Sequence, residues 1–363
     1  MKENTATAAE PMNGGHGAYS YTKNSYYQRT GSGAVKEMID EAILRSLDVN
    51  KLTSSSGSNA FNIVDMGSSV GPNTFIAMQN LVEAVSKKYH VETPFINQPL
   101  EFKVHFNDSC SNDFNTLFAS LPSNRKYFAV GVPGTFHGRL FPNRSLHLAY
   151  SSYALQWLSR SPEKCLDPNS PAWNKGNIHY SRAAQEVQDA YAAQLGEDMD
   201  VFLKARAEEI VPGGMMVLII PGVPDEIAPS RLPNSLIFHL MGSVLANMAK
   251  RGVISEYQVD SFNLPLYAIS PWDIEAAVTR NQSFKIERLE MMSTVKAIGR
   301  PIDWQKILMH IRAGLETIIS KHFGNHVIDE LFELLCEKTK DCFEELESTY
   351  MDKNQLLVIL KRK

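Results

Sequence analysis

The densest chemistry in the chain lies in nine residues, Asp65-Met66-Gly67-Ser68-Ser69-Val70-Gly71-Pro72-Asn73. A dinucleotide pyrophosphate is cradled by G-x-G-x-x-G, whose closely set glycine N–H groups face phosphate at a helix N-terminus. Here the glycines stand four apart and Pro72 occupies the turn, which disfavours a nicotinamide dehydrogenase. The loop opens with an acid instead, which repels phosphate and welcomes a cation. S-adenosylmethionine presents an ammonium and a sulfonium where a dinucleotide presents phosphates. A purely structural strand–turn–helix junction fits the same residues.

Two further segments bear on that choice. Asp108 closes an alternating run, Glu101 to Asn107, and an acid so placed can accept hydrogen bonds from both hydroxyls of a ribose. It also sits among Asn107, Ser109, Asn112 and Asp113, which is the composition of a solvated turn. In Gly131-Val132-Pro133-Gly134-Thr135-Phe136, Phe136 can lie against an adenine while Thr135 offers a polar contact; a packed loop aromatic is the plainer account. His137 and His147 are candidate bases, but no His–acid pair stands out, and structural hydrogen bonds are the expected use of both.

Hydrophobic periodicity supplies the scaffold for these groups. Asn62 to Gly67 is an apolar run ending in an acid and a glycine, the pattern of a buried parallel strand entering a turn. Thr74 to Tyr89 follows as an amphipathic helix. Glu101 to Asn107, Tyr127 to Val130, Leu146 to Tyr150, Met215 to Ile220, Phe284 to Leu289 and Leu356 to Leu360 are further strands. Helical spacing marks Tyr21 to Asp48, Val187 to Val211, Leu236 to Ala249 and a segment from about Asn325. Thr53 to Asn59 reads as a polar loop and residues 1–17 as a mobile arm. Strands alternating with helices predict a doubly wound parallel sheet. The alternation lapses at 161–184 and 224–280, where helical insertions beyond the strands' carboxyl ends would cap a ligand site.

Composition bounds the function class. The 363 residues carry 36 Lys+Arg against 40 Asp+Glu, a net charge of −4, which gives no overall electrostatic footprint for nucleic acid. At 44% hydrophobic and 21% charged the chain reads as globular, and no apolar run approaches the ~20 residues of a membrane helix. Cys110, Cys165, Cys336 and Cys342 are scattered without paired spacing, as suits a reducing compartment. Met1 to Pro11 contains Glu3 and Glu10 and no apolar stretch of a secretory signal, so the expected setting is the cytosol.

The chain resembles the plant SABATH methyltransferases, which methylate small carboxylic acids and, in some branches, purine nitrogens. The resemblance rests on Met12 to Gly15 with Ser20-Tyr21 and Asn24-Ser25, the Asp65 loop, Asn107-Asp108 with Asn112 to Asn115, and Gly131 to Pro142. It continues through Ser151 to Leu158, Asn174-Lys175-Gly176 and Asp260 to Pro265, and so spans nearly the whole chain. Carboxyl methyltransferases of iridoid, terpenoid and related acids are the most similar branch. The resemblance implies an α/β fold: a Rossmann-like class I methyltransferase sheet of about seven strands with a helical cap over the active site. Residues 1–30 would form an arm contributing to that site; 31–160, 185–223 and 281–363 the core; 161–184 and 224–280 the cap.

It further implies S-adenosylmethionine as cofactor, held by Tyr21, Ser25, Asp65, Asn73, Asp108, Ser109, Thr135 and Phe136. The acceptor carboxylate would be held by Gln28 and Trp157, with Tyr153 and Gln156 shaping the pocket. A structural magnesium ion, present in some relatives, maps to Asn174, Asp260, the backbone oxygen of Phe262, and Asn263, and all-oxygen ligands suit a hard cation. Relatives are commonly homodimers. The chain departs from the family pattern at three places. Cys-Ser-Ser of the first loop is Ser68-Ser69-Val70, the Ser and Tyr of the adenine loop are Thr135 and His137, and a lysine that can touch acidic substrates is Asn13.

Methyl transfer from a sulfonium is an in-line displacement that needs proximity and orientation. A carboxylic acid of pKa near ~4 is ionised at neutral pH, so no general base is required. A Gln amide and a Trp indole can donate hydrogen bonds to one oxygen while carrying no charge that would favour the ground state. Trp157 alone reads as core on an apolar helix face; Tyr153 one turn away and Gln156 beside it draw it toward a pocket. The expected activity is S-adenosylmethionine-dependent methylation of the carboxylate of a small plant metabolite. The alternatives are a purine N-methyltransferase, to which the Gln156 amide is suited, and a catalytically silent binding protein on the same fold.

Overall fold

Seven strands form one sheet: β1 Ala60–Met66, β2 Glu101–Asp108, β3 Phe128–Pro133, β4 Leu146–Ser152, β5 Ile210–Gly222, β6 Phe284–Ser293 and β7 Asn354–Arg362. The structure, a computed structural model, describes residues 10–56, 60–95, 98–294, 302–350 and 353–363. The start of the expected arm (1–9) and the end of the expected polar loop (57–59) lie outside the described residues.

The spatial order is β3-β2-β1-β4-β5-β7-β6. From β1 the chain winds outward through β2 and β3, then returns to place β4 on the other side of β1, so the switch of direction falls beside β1. Ligands bind at such a point, beyond the carboxyl ends of the strands. The sheet is not wholly parallel as the alternation predicts: β7 runs antiparallel to both β5 and β6. An apolar run such as Leu356–Leu360 encodes burial on both faces but not strand direction, which the helices before it decide.

Thirteen α-helices are described: α1 Tyr21–Asn24, α2 Tyr26–Ala34, α3 Lys36–Ser46, α4 Val49–Ser56, α5 Pro72–Glu92, α6 Phe114–Ala119, α7 Gln185–Glu209, α8 Ser235–Lys250, α9 Glu256–Asp260, α10 Pro271–Asn281, α11 Trp304–Phe323, α12 Ile328–Asp341 and α13 Phe343–Tyr350. The single helix expected over Tyr21 to Asp48 is thus broken at Ser25 and Val35, and Thr53 to Ser56 belong to a helix rather than a loop. One sheet face buries α3 and α5 with Ile43, Phe75 and Met78; the other buries α7 and α10 with Tyr191, Phe202 and Ile274.

A third apolar cluster stands apart from the sheet and joins Ile237, Met241 and Leu245 of α8 to Ile307, Ile311, Leu331 and Tyr350. The helices between β6 and β7 therefore pack with the cap and not with the core expected over 281–363. Conversely, α10, expected in the cap, covers the sheet. Both differences have one cause: an apolar stripe states that a helix is covered, not by what.

Candidate active site

Parallel register pairs Met66 with Asn107, which sets Asp65 and Asp108 on neighbouring strand ends. The chain leaves β1 through Gly67 at φ +81°, where a Cβ would overlap that of Ala154. Only glycine passes there. The N–H groups of Gly67 and Ser68 both donate to the Asn107 carbonyl, at 2.9 and 3.0 Å, and lash the loop to β2. Asp108 is then held by two backbone N–H donors, Ser69 to Oδ2 and Ser109 to Oδ1, each at 2.8 Å. Thr74, in the first turn of α5, donates its hydroxyl to Asp65 Oδ2.

Burial pushes the Asp65 carboxyl up to about 7, opposed by the Thr74 hydroxyl and reinforced by the charge of Asp108. Burial likewise lifts Asp108 to about 6, against its two backbone donors. Tyr21 stands beside both: burial first, then the charges of Asp108 and Asp65, push its phenol far up. Two desolvated carboxyls on neighbouring strand ends favour a ligand that brings positive charge.

Ser25 is fully buried with its Oγ unpartnered among the described residues. Asn73 is different. Its Nδ2 donates to the Ser25 carbonyl at 3.0 Å and its Oδ1 accepts from Arg29 Nε at 2.9 Å, so both ends of the amide tie α2 to α5. Ser109 is half-buried, its hydroxyl 3.4 Å from that of Ser111, and Thr135 is exposed with its Oγ1 accepting from the His137 N–H at 3.3 Å. Phe136 is half-buried edge-on to Phe202.

The Phe136 loop is fixed from below by a pair that the sequence does not advertise. Arg206 and Glu209 on α7 are fully buried, 2.6 Å apart. Arg206 donates to the carbonyls of Phe136 and Gly138, both at 2.9 Å, while Glu209 accepts from the N–H groups of Leu140 (2.5 Å) and Phe141 (2.9 Å). In sequence this is an i, i+3 charge pair like many on helix surfaces.

Next to the carboxyl end of β4 lies a cavity of about 200 Å³ with Tyr21, Gln28, Tyr153, Gln156 and Trp157 in its wall. Met12 of the arm and Ile311 of α11 close it from the other side. The segment carrying Trp157 is a turn and not the helix its spacing suggests: Tyr153 takes φ +54°, and Gln156 Nε2 donates back to the Tyr153 carbonyl at 2.8 Å. β4 must end at the site, so the chain reverses there. The Tyr153 hydroxyl donates to Gln355 at 2.6 Å, leaving its ring for the cavity.

Gln28 meets a residue from the far end of the chain. His310 Nδ1 lies 3.0 Å from the Asn24 carbonyl, which can only accept, so the ring proton is on Nδ1 and Nε2 is the acceptor. Gln28 Nε2, 3.1 Å from that Nε2, must therefore be the donor, and the amide orientation is determined. One Gln28 N–H remains free, and its Oε1 is unpartnered among the described residues. Burial, with the charge of Lys353, lowers His310 to about 4, so the ring is neutral. The Trp157 indole N–H has no hydrogen-bond partner among the described residues.

A sequence family model described as SAM dependent carboxyl methyltransferase matches residues 7–363. The chain belongs to that family. It is 43% identical over 360 residues to loganic acid O-methyltransferase of Catharanthus roseus, covering 99% of this chain and 96% of that protein. Farnesoic acid carboxyl-O-methyltransferase of Arabidopsis thaliana is 37% identical over 351 residues, 97% of this chain and 98% of that one. A solved loganic acid methyltransferase with SAH matches at TM-score 0.91 and 42% identity, covering 97% of this chain and 99% of that chain. The methyltransferase uses S-adenosylmethionine and carries the SABATH fold.

Of the residues expected around magnesium, Asn174 and Asn263 are in direct contact and Asp260 bonds the backbone two residues past Asn174. Asn174 Nδ2 donates to Asn263 Oδ1 at 2.6 Å, and Asp260 Oδ1 accepts from the Gly176 N–H at 2.9 Å. Asn174 Oδ1 is buried without a partner among the described residues, which leaves one oxygen free for a cation. None of the four lines the acceptor cavity. Of the two candidate bases, His147 accepts from the Asn62 N–H at 2.9 Å and is lowered to about 4 by burial, a structural use. His137 is buried against Phe136, and burial lowers it too. Neither lines the cavity.

Sequence reasoning missed His310 and Lys353 in the wall. The one local trace of the former is a polar residue among Ile307, Leu308 and Ile311.

Proposed function

We propose that this methyltransferase esterifies a small carboxylic acid that Gln28 and Trp157 hold by uncharged N–H donors. The observation that carries the reading is that Gln28 and Trp157 line one cavity, with the Gln28 amide turned by His310 so that one N–H remains to donate. The two histidines in the wall, His179 and His310, are lowered by burial to about 3 and about 4. Each is neutral at pH 7 but binds a proton too weakly to pull one from a purine N–H or a phenol. An ionised carboxylate requires no such help.

Bound S-adenosylmethionine supplies an electrophilic methyl group on its sulfonium. Asp65 and Asp108 accept from the cofactor's donors and offset its positive charge, and Tyr21, Ser25, Ser109, Thr135 and Phe136 complete the pocket, with Asn73 holding α2 against α5. The free Gln28 N–H and the Trp157 indole N–H orient one acceptor oxygen for in-line attack without a formal charge on it. Gln156 Oε1, unpartnered among the described residues, accepts from a hydroxyl on the acceptor's body. A divalent cation, where one binds, would be held by Asn174, Asp260, the Phe262 carbonyl and Asn263, and would brace the cap away from the acceptor cavity.

Residues 1–30 contribute Met12, Tyr21, Tyr27 and Gln28 to the site, which supports the arm reading. A homodimer rests on the family resemblance. A cytosolic setting draws support from four free cysteines, and among the described residues no helix is long and apolar enough to cross a membrane.

Labelled methyl transfer to a panel of aromatic, terpenoid and iridoid acids tests the reading. Base-labile methyl esters are expected. Turnover of xanthines with none of any acid would move the enzyme to N-methylation.

A further inference from the structure

The acceptor cavity has one formally charged side chain among its described lining residues, Lys353 at the start of β7. It is only half-buried as a residue, yet no carboxylate among the described residues pairs with its ammonium. The protein offers the Nζ two aromatic faces instead, Tyr350 at 5.0 Å and Tyr27 at 5.5 Å from the ring centroids. An ammonium set in a largely apolar wall with no carboxylate against it among the described residues is an unfavourable arrangement unless something completes it.

Its place in the wall says what. Tyr27 precedes Gln28 on α2, and Lys353 acts electrostatically on His310, the ring that orients the Gln28 amide. The positive charge is therefore focused on the region of the carboxylate clamp while the donors that orient the oxygen stay neutral.

We propose that Lys353 is the specificity-determining residue that selects anionic acceptors, drawing a carboxylate into the cavity and discriminating against neutral molecules of similar shape. The inference rests on the carboxylate reading above and adds the residue that enforces it. Division of labour gives the physical sense. A charge in direct contact with the attacking oxygen would stabilise the bound acid more than the transition state, whereas a charge in the wall lowers the cost of desolvating the anion.

Protonation makes the device pH-dependent. Burial lowers the Lys353 ammonium to about 8. The groups facing it do not titrate nearby: Tyr27 on α2 is raised to about 12, Tyr350 on α13 is raised further, and His310 on α11 is lowered to about 4. Below about pH 8 the charge is present; above it the attraction fades, so KM for an acid rises with pH.

The test uses the full chain with saturating S-adenosylmethionine, which removes any contribution from Asp65 and Asp108. For an acid that the wild type esterifies, Lys353→Met should raise KM about tenfold or more, with most of the loss in KM and not in kcat. Lys353→Arg should recover most of it. In the wild type KM should climb between pH 7 and 9.5, and in Lys353→Met it should stay flat. Inhibition by the corresponding neutral carboxamide should be the same in both. Lys353→Gln repeats the comparison if the Met variant folds poorly, and the wild-type pH profile needs no variant. Equal KM and equal pH profiles would overturn the role of Lys353, whereas a wild type that esterifies no acid would overturn the carboxylate reading itself.

Discussion

Replacing Asp65 by Asn should strengthen the free protein and weaken its grip on the cofactor. Asn keeps an acceptor for the Thr74 hydroxyl, so the substitution removes charge with little change of shape. In the folded chain burial pushes the Asp65 carboxyl from its ordinary 3.8 up to about 7. At 1.36 kcal/mol per unit this amounts to an upper limit of about 4 kcal/mol. The sign follows from proton binding: between pH 4 and 7 the folded state holds a proton that the unfolded state has released, so stability falls as pH rises through that window. A cationic ligand returns part of this free energy by stabilising the ionised form. Thermal unfolding of the free protein should therefore show Asp65→Asn approaching wild type as pH falls below about 4 and exceeding it by several degrees at pH 8. Calorimetry should show S-adenosylmethionine affinity rising from pH 5.5 to 8 in the wild type and a weaker, flatter response in the variant. A variant less stable than wild type at pH 8, with unchanged affinity, would refute the reasoning.

Gly67→Ala should abolish cofactor binding, because the added Cβ overlaps Ala154 at a positive φ; unchanged SAH binding by calorimetry would contradict the steric account. Glu209→Gln leaves the buried Arg206 guanidinium without its counter-charge and should destabilise the fold by about 3–5 kcal/mol in denaturant titration. The same variant should also loosen the Phe136 loop, read as a weakened cofactor affinity at saturating acid. Trp157→Phe removes one clamp donor and keeps the ring, so acid esterification should fall sharply in steady-state kinetics; full activity would reject its role.

The loop after β1 and the acids at the strand ends were legible in the sequence because their signals are local. An apolar run, an acid, a glycine of positive φ and a helix start lie within ten residues, and each is imposed by backbone geometry at that place. The second acid closes the adjacent strand for the same reason. Trp157 was expected on a helix and lies on a turn, since 153 and 157 have helical spacing whether or not the chain turns between them.

Other features had no local imprint. The direction of β7 and the union of α11–α13 with the cap are contacts between separate elements, and Gln28 meets His310 from 282 positions away. Hydrophobic pattern specifies that a surface is covered and leaves open which surface covers it. The sequence by itself thus determined a sheet whose first two strands end in acids. Tertiary packing alone decided which imidazole orients the amide and which ammonium charges the wall, because these are contacts between elements that no single element encodes.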